Sequence, residues 1–303
     1  MRKFFIIFVF VLFSCGLQEW KLDNGLDPEA RMMEALQEAL VLGSKTAASN
    51  LGDSSCVSRL SEIRDCATGY LGNKLVEIAV PDTVKEVLDF IGKITNLSSS
   101  LKSALQLAVG SQQYNSFISL GKYGDSIRVA LNRGAEQAAP KSVDVFKNAI
   151  FGLSFFDAKE VLLGNDTAAT SYLRTTTYSD LQKAFSPILK EPLDLLNPNK
   201  YWNPIVSNYN SFSRAYSGFL TSNPINSALP GLPYEALPED LSAYLAEYAT
   251  GKALDGLFLM VGKKETELRA DPWGTVMAAG EFITDTVGDL LGDIFSKAKD
   301  NLL

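Results

Sequence analysis

Apolar side chains recur along this chain at intervals of three and four residues, and alternation over more than four residues is almost absent. The first period is that of a helix buried on one face; the second would mark a strand. Met32, Leu36, Leu40 and Ala47 follow the helical spacing up to Gly52, behind Asp27-Pro28, an N-cap followed by proline at the first helical position. Asp82 caps a helix with Val84, Val87, Leu88 and Ile91 on one face. Ser98-Ser99-Ser100 punctuates it, and Leu101 to Val109 forms another. Gly110 to Gly124 is rich in Gly, Ser and Gln and reads as a loop or hinge. Asp125 to Ala139 is helical, Pro140 breaks or bends it, and Lys141 to Phe151 resumes.

Ser154, with Asp157 as the third helical residue, caps a short helix ending at a C-cap glycine, Gly164. Asp166 caps the next helix through Arg174, and Ser179 opens another that stops before Pro192. Tyr201, Ile205, Tyr209, Phe212, Tyr216 and Phe219 mark one helix face. Asn223 to Pro238 holds four of the twelve prolines and reads as an irregular connection. Two long helices, Glu239 to Arg269 and Pro272 to Leu303 with Asp271 as the second N-cap, close the chain. The expectation is an all-α, bundle-like domain of about ten helices over 27–303, with no significant β-sheet and with a short helix between Cys56 and Cys66.

The N-terminus departs from this pattern. Arg2 and Lys3 precede an unbroken apolar run from Phe4 to Phe13, closed by Leu12-Phe13-Ser14-Cys15. The run is about half the roughly 20 residues a spanning helix needs, so it reads as a signal-peptide core. A small residue before a cysteine at its end looks like a lipobox. Residues 1–14 are then a lipoprotein signal peptide, and residues 15–26 are a lipidated Cys15 and its tether. This places the protein in the cell envelope, anchored to a membrane through Cys15 and facing the periplasm or cell surface, with the outer membrane favoured. The cysteine count changes meaning accordingly: of three cysteines, Cys56 and Cys66 remain as an even pair in an oxidising compartment. A disulfide is the natural reading, and two free buried thiols are the alternative.

Composition narrows the chemistry. Of 303 residues, 46% are apolar and 21% charged, the balance of a folded chain. A net charge of −7 argues against a nucleic-acid binder or a polybasic membrane patch. The chain has no histidine, which removes Ser-His-Asp and Cys-His catalysis and the His-Glu zinc motif. No G-x-S-x-G elbow and no phosphate-cradling glycine loop is present. No catalytic residue, metal site or cofactor is expected.

Four residues remain as ligand-binding candidates: Arg133, Glu136, Asp166 and Asp255. Arg133 and Glu136 lie three apart on a helix, either as a pocket-lining pair or, the favoured reading, as a surface pair. Gly164-Asn165-Asp166-Thr167 presents free backbone N–H groups where an anion could dock, although a glycine C-cap meeting an aspartate N-cap is the simpler account. Glu265 and Glu267, beside Lys263, Lys264 and Arg269, read as a solvated charged face. Asp285, Asp289 and Asp293 recur every fourth residue without the looped oxygens of a calcium site. The aromatic stripe from Tyr201 to Phe219 reads as core, with a groove for sugar or lipid as the alternative.

Three blocks carry a family resemblance. Leu131-Asn132-Arg133-Gly134-Ala135-Glu136-Gln137-Ala138-Ala139-Pro140-Lys141 is the first. The second runs from Asp157-Ala158 through Leu162-Leu163-Gly164-Asn165-Asp166-Thr167-Ala168-Ala169-Thr170-Ser171-Tyr172. The third is Lys252-Ala253-Leu254-Asp255-Gly256-Leu257-Phe258, continuing through Glu265 and Arg269 to Asp271-Pro272. With Tyr201-Trp202-Asn203 and Tyr209-Asn210 they resemble the bacterial domain-of-unknown-function family 4197, in order, over roughly Glu34 to Pro272. The segment from Cys56 to Asn96 departs from that pattern, and the helix after Pro272 is longer here. The resemblance implies a helical, exported protein and brings no activity and no catalytic residue. Function therefore reads as a non-catalytic structural or interaction module, its partner possibly another envelope protein. The alternatives are a binding protein for a small apolar ligand or lipid, and a carboxylate-dependent hydrolase.

Overall fold

The computed structural model describes residues 28–57, 65–195, 202–222 and 229–270. The lipobox, tether and Asp27, the segment between the two cysteines, and the helix expected after Pro272 lie outside the described residues. Every regular element described is helical. The helices are α1 (Pro28–Gly52), α2 (Asp82–Thr95), α3 (Ser99–Val109), α4 (Ser111–Ile118), α5 (Gly124–Ala138), α6 (Ser142–Phe151), α7 (Phe155–Leu163), α8 (Ala168–Leu195), α9 (Trp202–Ser222) and α10 (Leu241–Ala270). Short 3₁₀ turns, Ser119–Tyr123 and Ala139–Lys141, precede and follow α5, the second at Pro140. The protein is all-α.

Several boundaries follow the expected chemistry. Ser98 Oγ accepts from Leu101 N–H at 3.4 Å and opens α3. Ser154 and Asp157 form a complete capping box at the start of α7. Asp240 accepts from Ala243 N–H at 3.0 Å and opens α10.

Others differ from expectation. The stretch from Gly110 to Gly124 is mostly helix, not hinge: Gly110 makes the turn at φ 90°, and α4 follows. Tyr114, Phe117 and Leu120 are buried at three-residue spacing there, and that periodicity outweighs the polar composition. The break expected before Ser179 is absent, and α8 runs through it. Thr175, Thr176 and Thr177 each turn the hydroxyl back onto the carbonyl four residues earlier, so these cap-forming side chains sit inside the helix. Gly164 is not left-handed, with φ −73°. It is needed for a close approach instead: a Cβ there would lie 2.4 Å from that of Ala168 and 2.8 Å from the Glu160 carbonyl oxygen.

The chain divides into two compact units, one of residues 1–51, 139–182 and 254–303, the other of residues 52–138 and 183–253. In the second unit the aromatic face of α9 fills the core. Tyr209, Phe212 and Tyr216 have no exposed surface and pack with Phe90 of α2 and Phe117 of α4. Phe117 stacks on Phe212 at 4.0 Å between ring centroids, and Phe90 meets Tyr216 edge-on at 5.5 Å. Each such ring contributes on the order of 2–3 kcal/mol by burial, and a good ring pair roughly 1 kcal/mol more. The phenols end this face by donating to the proline-rich segment, Tyr209 to Tyr234 O at 2.7 Å and Tyr216 to Pro230 O at 2.6 Å. In the first unit Phe146 and Phe258 pack edge-on, and Ile150, Ala158, Val161, Leu173 and Leu257 are buried as well.

Candidate functional site

Polar residues of α5 at positions 128, 132, 133 and 136, the last three within the first family block, hold an irregular segment of the same unit. Asn132 is fully buried. Its side-chain amide accepts from Ile78 N–H and donates to Ile78 O, both at 2.8 Å, as a neighbouring strand would. Arg128 pairs with Glu77 at 2.6 Å. Glu136 is 3% exposed. One of its oxygens, Oε1, accepts from two consecutive backbone amides, Tyr70 at 3.1 Å and Leu71 at 3.0 Å; the other, Oε2, accepts from Arg133 Nη1 at 2.5 Å. Arg133 also donates to the carbonyls of Ser54 and Val57. The surface-pair reading of Arg133 and Glu136 is therefore corrected: the arginine is partly buried, the carboxylate wholly.

What they grip is the segment carrying the cysteines. Cys56 and Cys66 form a disulfide. Beyond it Cys66 N–H donates to Gly72 O at 2.9 Å, and Asn73 Nδ2 donates to Gly69 O at 3.1 Å. Gly69 takes φ 71°, where L side chains are strained. A Cβ on it would meet Asp53 O at 2.7 Å and Glu136 Oε1 at 2.8 Å. Tyr70, without exposed surface, donates its hydroxyl to Ala253 O at 2.7 Å. Burial, with Glu136 nearby, raises its pKa above the usual phenol range.

The other unit repeats the device. Glu265 of α10 is 6% exposed. It accepts from Ala169 N–H at 3.0 Å, Thr170 N–H at 2.8 Å and Thr170 Oγ1 at 2.7 Å, all in the first turn of α8. Arg269, one turn on, donates to the same carboxylate through Nε at 2.9 Å and Nη2 at 2.7 Å. This corrects the solvated-face reading of Glu265. The N-terminus of this helix, where an anion could have docked, holds the protein's own carboxylate, placed where the helix dipole favours negative charge. Asn165, not Asp166, turns the chain into α8, accepting from Thr167 N–H at 3.0 Å, and Asp166 is exposed. Asp255 forms an exposed pair with Arg174 at 2.6 Å, and that guanidinium lies over the rings of Tyr178 and Phe258.

The four candidates thus divide: Arg133 and Glu136 meet in one unit, while Asp166 and Asp255 belong to the other. Glu265, which the sequence reading assigned to a solvated face, is the more built site. Its only signal is Arg269 four residues on, at the spacing of a helix ion pair. Both oxygens of Glu265 carry two or more donors, and Glu136 holds two amides on Oε1 and Arg133 on Oε2. Among the described residues no three acids or cysteines gather as a metal site. Among the described residues no buried side-chain nitrogen or oxygen lacks a hydrogen-bond partner. The enclosed apolar space beside Val84, Ile127 and Ile205 amounts to about 20 Å³, about the room of one water.

The family model described as "Protein of unknown function (DUF4197)" matches residues 28–279. The chain belongs to this family. The match includes the cysteine-bearing segment, the part that the sequence resemblance left unassigned. No curated protein and no solved structure matches the chain. All three motif blocks of the DUF4197 resemblance now have structural work: the first grips the disulfide segment, and the second and third meet through Glu265 at the start of α8.

Proposed function

We propose that this DUF4197 protein is a non-catalytic structural or interaction module of the bacterial cell envelope, held to a membrane by lipid on Cys15. The observation that carries the non-catalytic part is the state of its two buried carboxylates. Among the described residues Glu136 and Glu265 are the acids best shielded from water, and both accept from backbone amides and an arginine. The aromatic face of α9 is occupied by Phe90 and Phe117, which leaves it no groove for an apolar ligand. No described helix is long and apolar enough to cross a membrane.

Metabolic labelling with palmitate tests the anchor. The full chain takes up label and fractionates with membranes, and Cys15→Ser does neither; label retained in Cys15→Ser refutes it. Cross-linking in intact cells tests the module: an adduct with another envelope protein supports it, and recovery of the uncrosslinked chain alone counts against it.

A further inference from the structure

Three phenylalanines within six residues are left out of the core of the first unit. Phe151 ends α6, and Phe155 and Phe156 open α7; they are 60%, 42% and 68% exposed. Between and beyond them Leu153, Ala158 and Val161 are buried, so α7 has an inner face and the phenylalanines are not on it. At about 200 Å² per phenylalanine, they expose on the order of 300 Å². That is at the lower end of the roughly 300–600 Å² of the largest apolar patch on a typical monomer, which is often functional.

The chain leaving α10 starts beside this patch. Arg269 Nη2 donates to Val161 O at 2.8 Å, tying the last turn of α10 to α7. Val161 lies five residues from Phe156, about 8 Å along the helix. Beyond Ala270 come residues 271–303, in which Ile283, Val287, Leu290, Leu291 and Ile294 recur at helical spacing, flanked by Phe282 and Phe295. The twelve residues from Ala270 to Phe282 reach about 18 Å as helix and about 40 Å extended. Either covers the distance to the patch. Being on the same chain, the segment meets the patch at a high effective concentration that no second molecule matches.

We propose that the apolar face of residues 282–295 docks on Phe151, Phe155 and Phe156 of its own chain. The proposal does not depend on the lipid anchor. Its test places a photo-cross-linking p-benzoyl-phenylalanine at position 155 of the full chain in intact cells, an exposed site where folding is not at risk. The expected product has monomer mass and joins the α7 peptide to a peptide within 272–303. An adduct at dimer mass, to lipid or to a different protein, or no adduct, overturns the proposal. In parallel, Phe156→Asp is expected to speed hydrogen exchange of 282–295 at least about tenfold while the amides of α2 and α4 keep their rates. Unchanged exchange in 282–295 overturns it as well.

Discussion

Replacing Glu265 by alanine should cost far more than removing a surface acid. The carboxylate is 6% exposed and Arg269 is 13% exposed, so the substitution strands a charge that water reaches poorly. Breaking a buried pair from one side costs roughly 3–5 kcal/mol. It also orphans the N–H groups of Ala169 and Thr170, at about 1–3 kcal/mol each when no water replaces the acceptor. The terms share one cavity and do not add, which sets the expected loss at about 4 kcal/mol. Glu265→Gln keeps the shape and one carbonyl oxygen but turns an NH₂ toward other donors, so about 2–3 kcal/mol is expected. Thr170→Val removes only one hydroxyl bond to a charged acceptor and should cost about 2 kcal/mol.

Urea titration followed by circular dichroism orders the three variants. Because the chain has two compact units, hydrogen exchange at Ala169 and Thr170 assigns the loss to the right one. The double variant Glu265→Ala/Arg269→Met should recover part of the loss, since it removes the stranded charge. A Glu265→Ala cost below about 1 kcal/mol, the value of an exposed ion pair, would refute the clamp.

Three further outcomes test the other unit. Gly69→Ala should lower stability by about 3 kcal/mol in the same titration. It forces a Cβ into the left-handed region at about 1–2 kcal/mol and against Glu136 Oε1; a neutral result contradicts the geometry around Glu136. Opening the disulfide by Cys56→Ala/Cys66→Ala releases a loop of sequence separation 10 and should cost about 3 kcal/mol by loop entropy, visible as a lower urea midpoint. Alkaline titration should destabilise the fold. Burial raises Tyr209 and Tyr216 to about 12 and Tyr70 higher still. A raised folded pKa gives stability that is whole below the unfolded phenol value near 10 and is lost as pH climbs from there through the folded value. The loss is about 1.4 kcal/mol per pH unit per phenol. Tyr216→Phe should flatten that slope between pH 10 and 12, and an unchanged slope removes Tyr216 from the account.

Helix identity was legible because it rests on local period. Apolar spacing on α2 and α9, the Ser154–Asp157 capping box and the break at Pro140 all need only a few neighbouring residues. The two clamps were not legible because each joins distant parts of the chain. Glu136 takes amides 65 and 66 residues away, and Glu265 takes amides 95 and 96 away. Lys263-Lys264-Glu265-Thr266-Glu267-Leu268-Arg269 has the composition of a solvated helix end, and Glu267 fits that reading, half exposed and paired with Lys264 at 2.6 Å. Only the turn of the helix separates Glu267 from Glu265. A carboxylate's fate here depends on which unpaired backbone amides arrive opposite it, and those lie in segments with no strong pattern of their own.

That dependence bears on what the motif blocks are for. Glu136 and Glu265 make their hydrogen bonds within the fold. The two sites solve the same problem, two consecutive backbone amides in a place poor in water, with the same parts: a carboxylate and an arginine three or four residues away on its helix. At Glu136 the amides belong to an irregular segment closed by a disulfide; at Glu265 they belong to the first turn of a helix. Repetition of one device in both units, on unrelated backbone, ties these motif residues to holding non-regular or end-of-helix backbone in place.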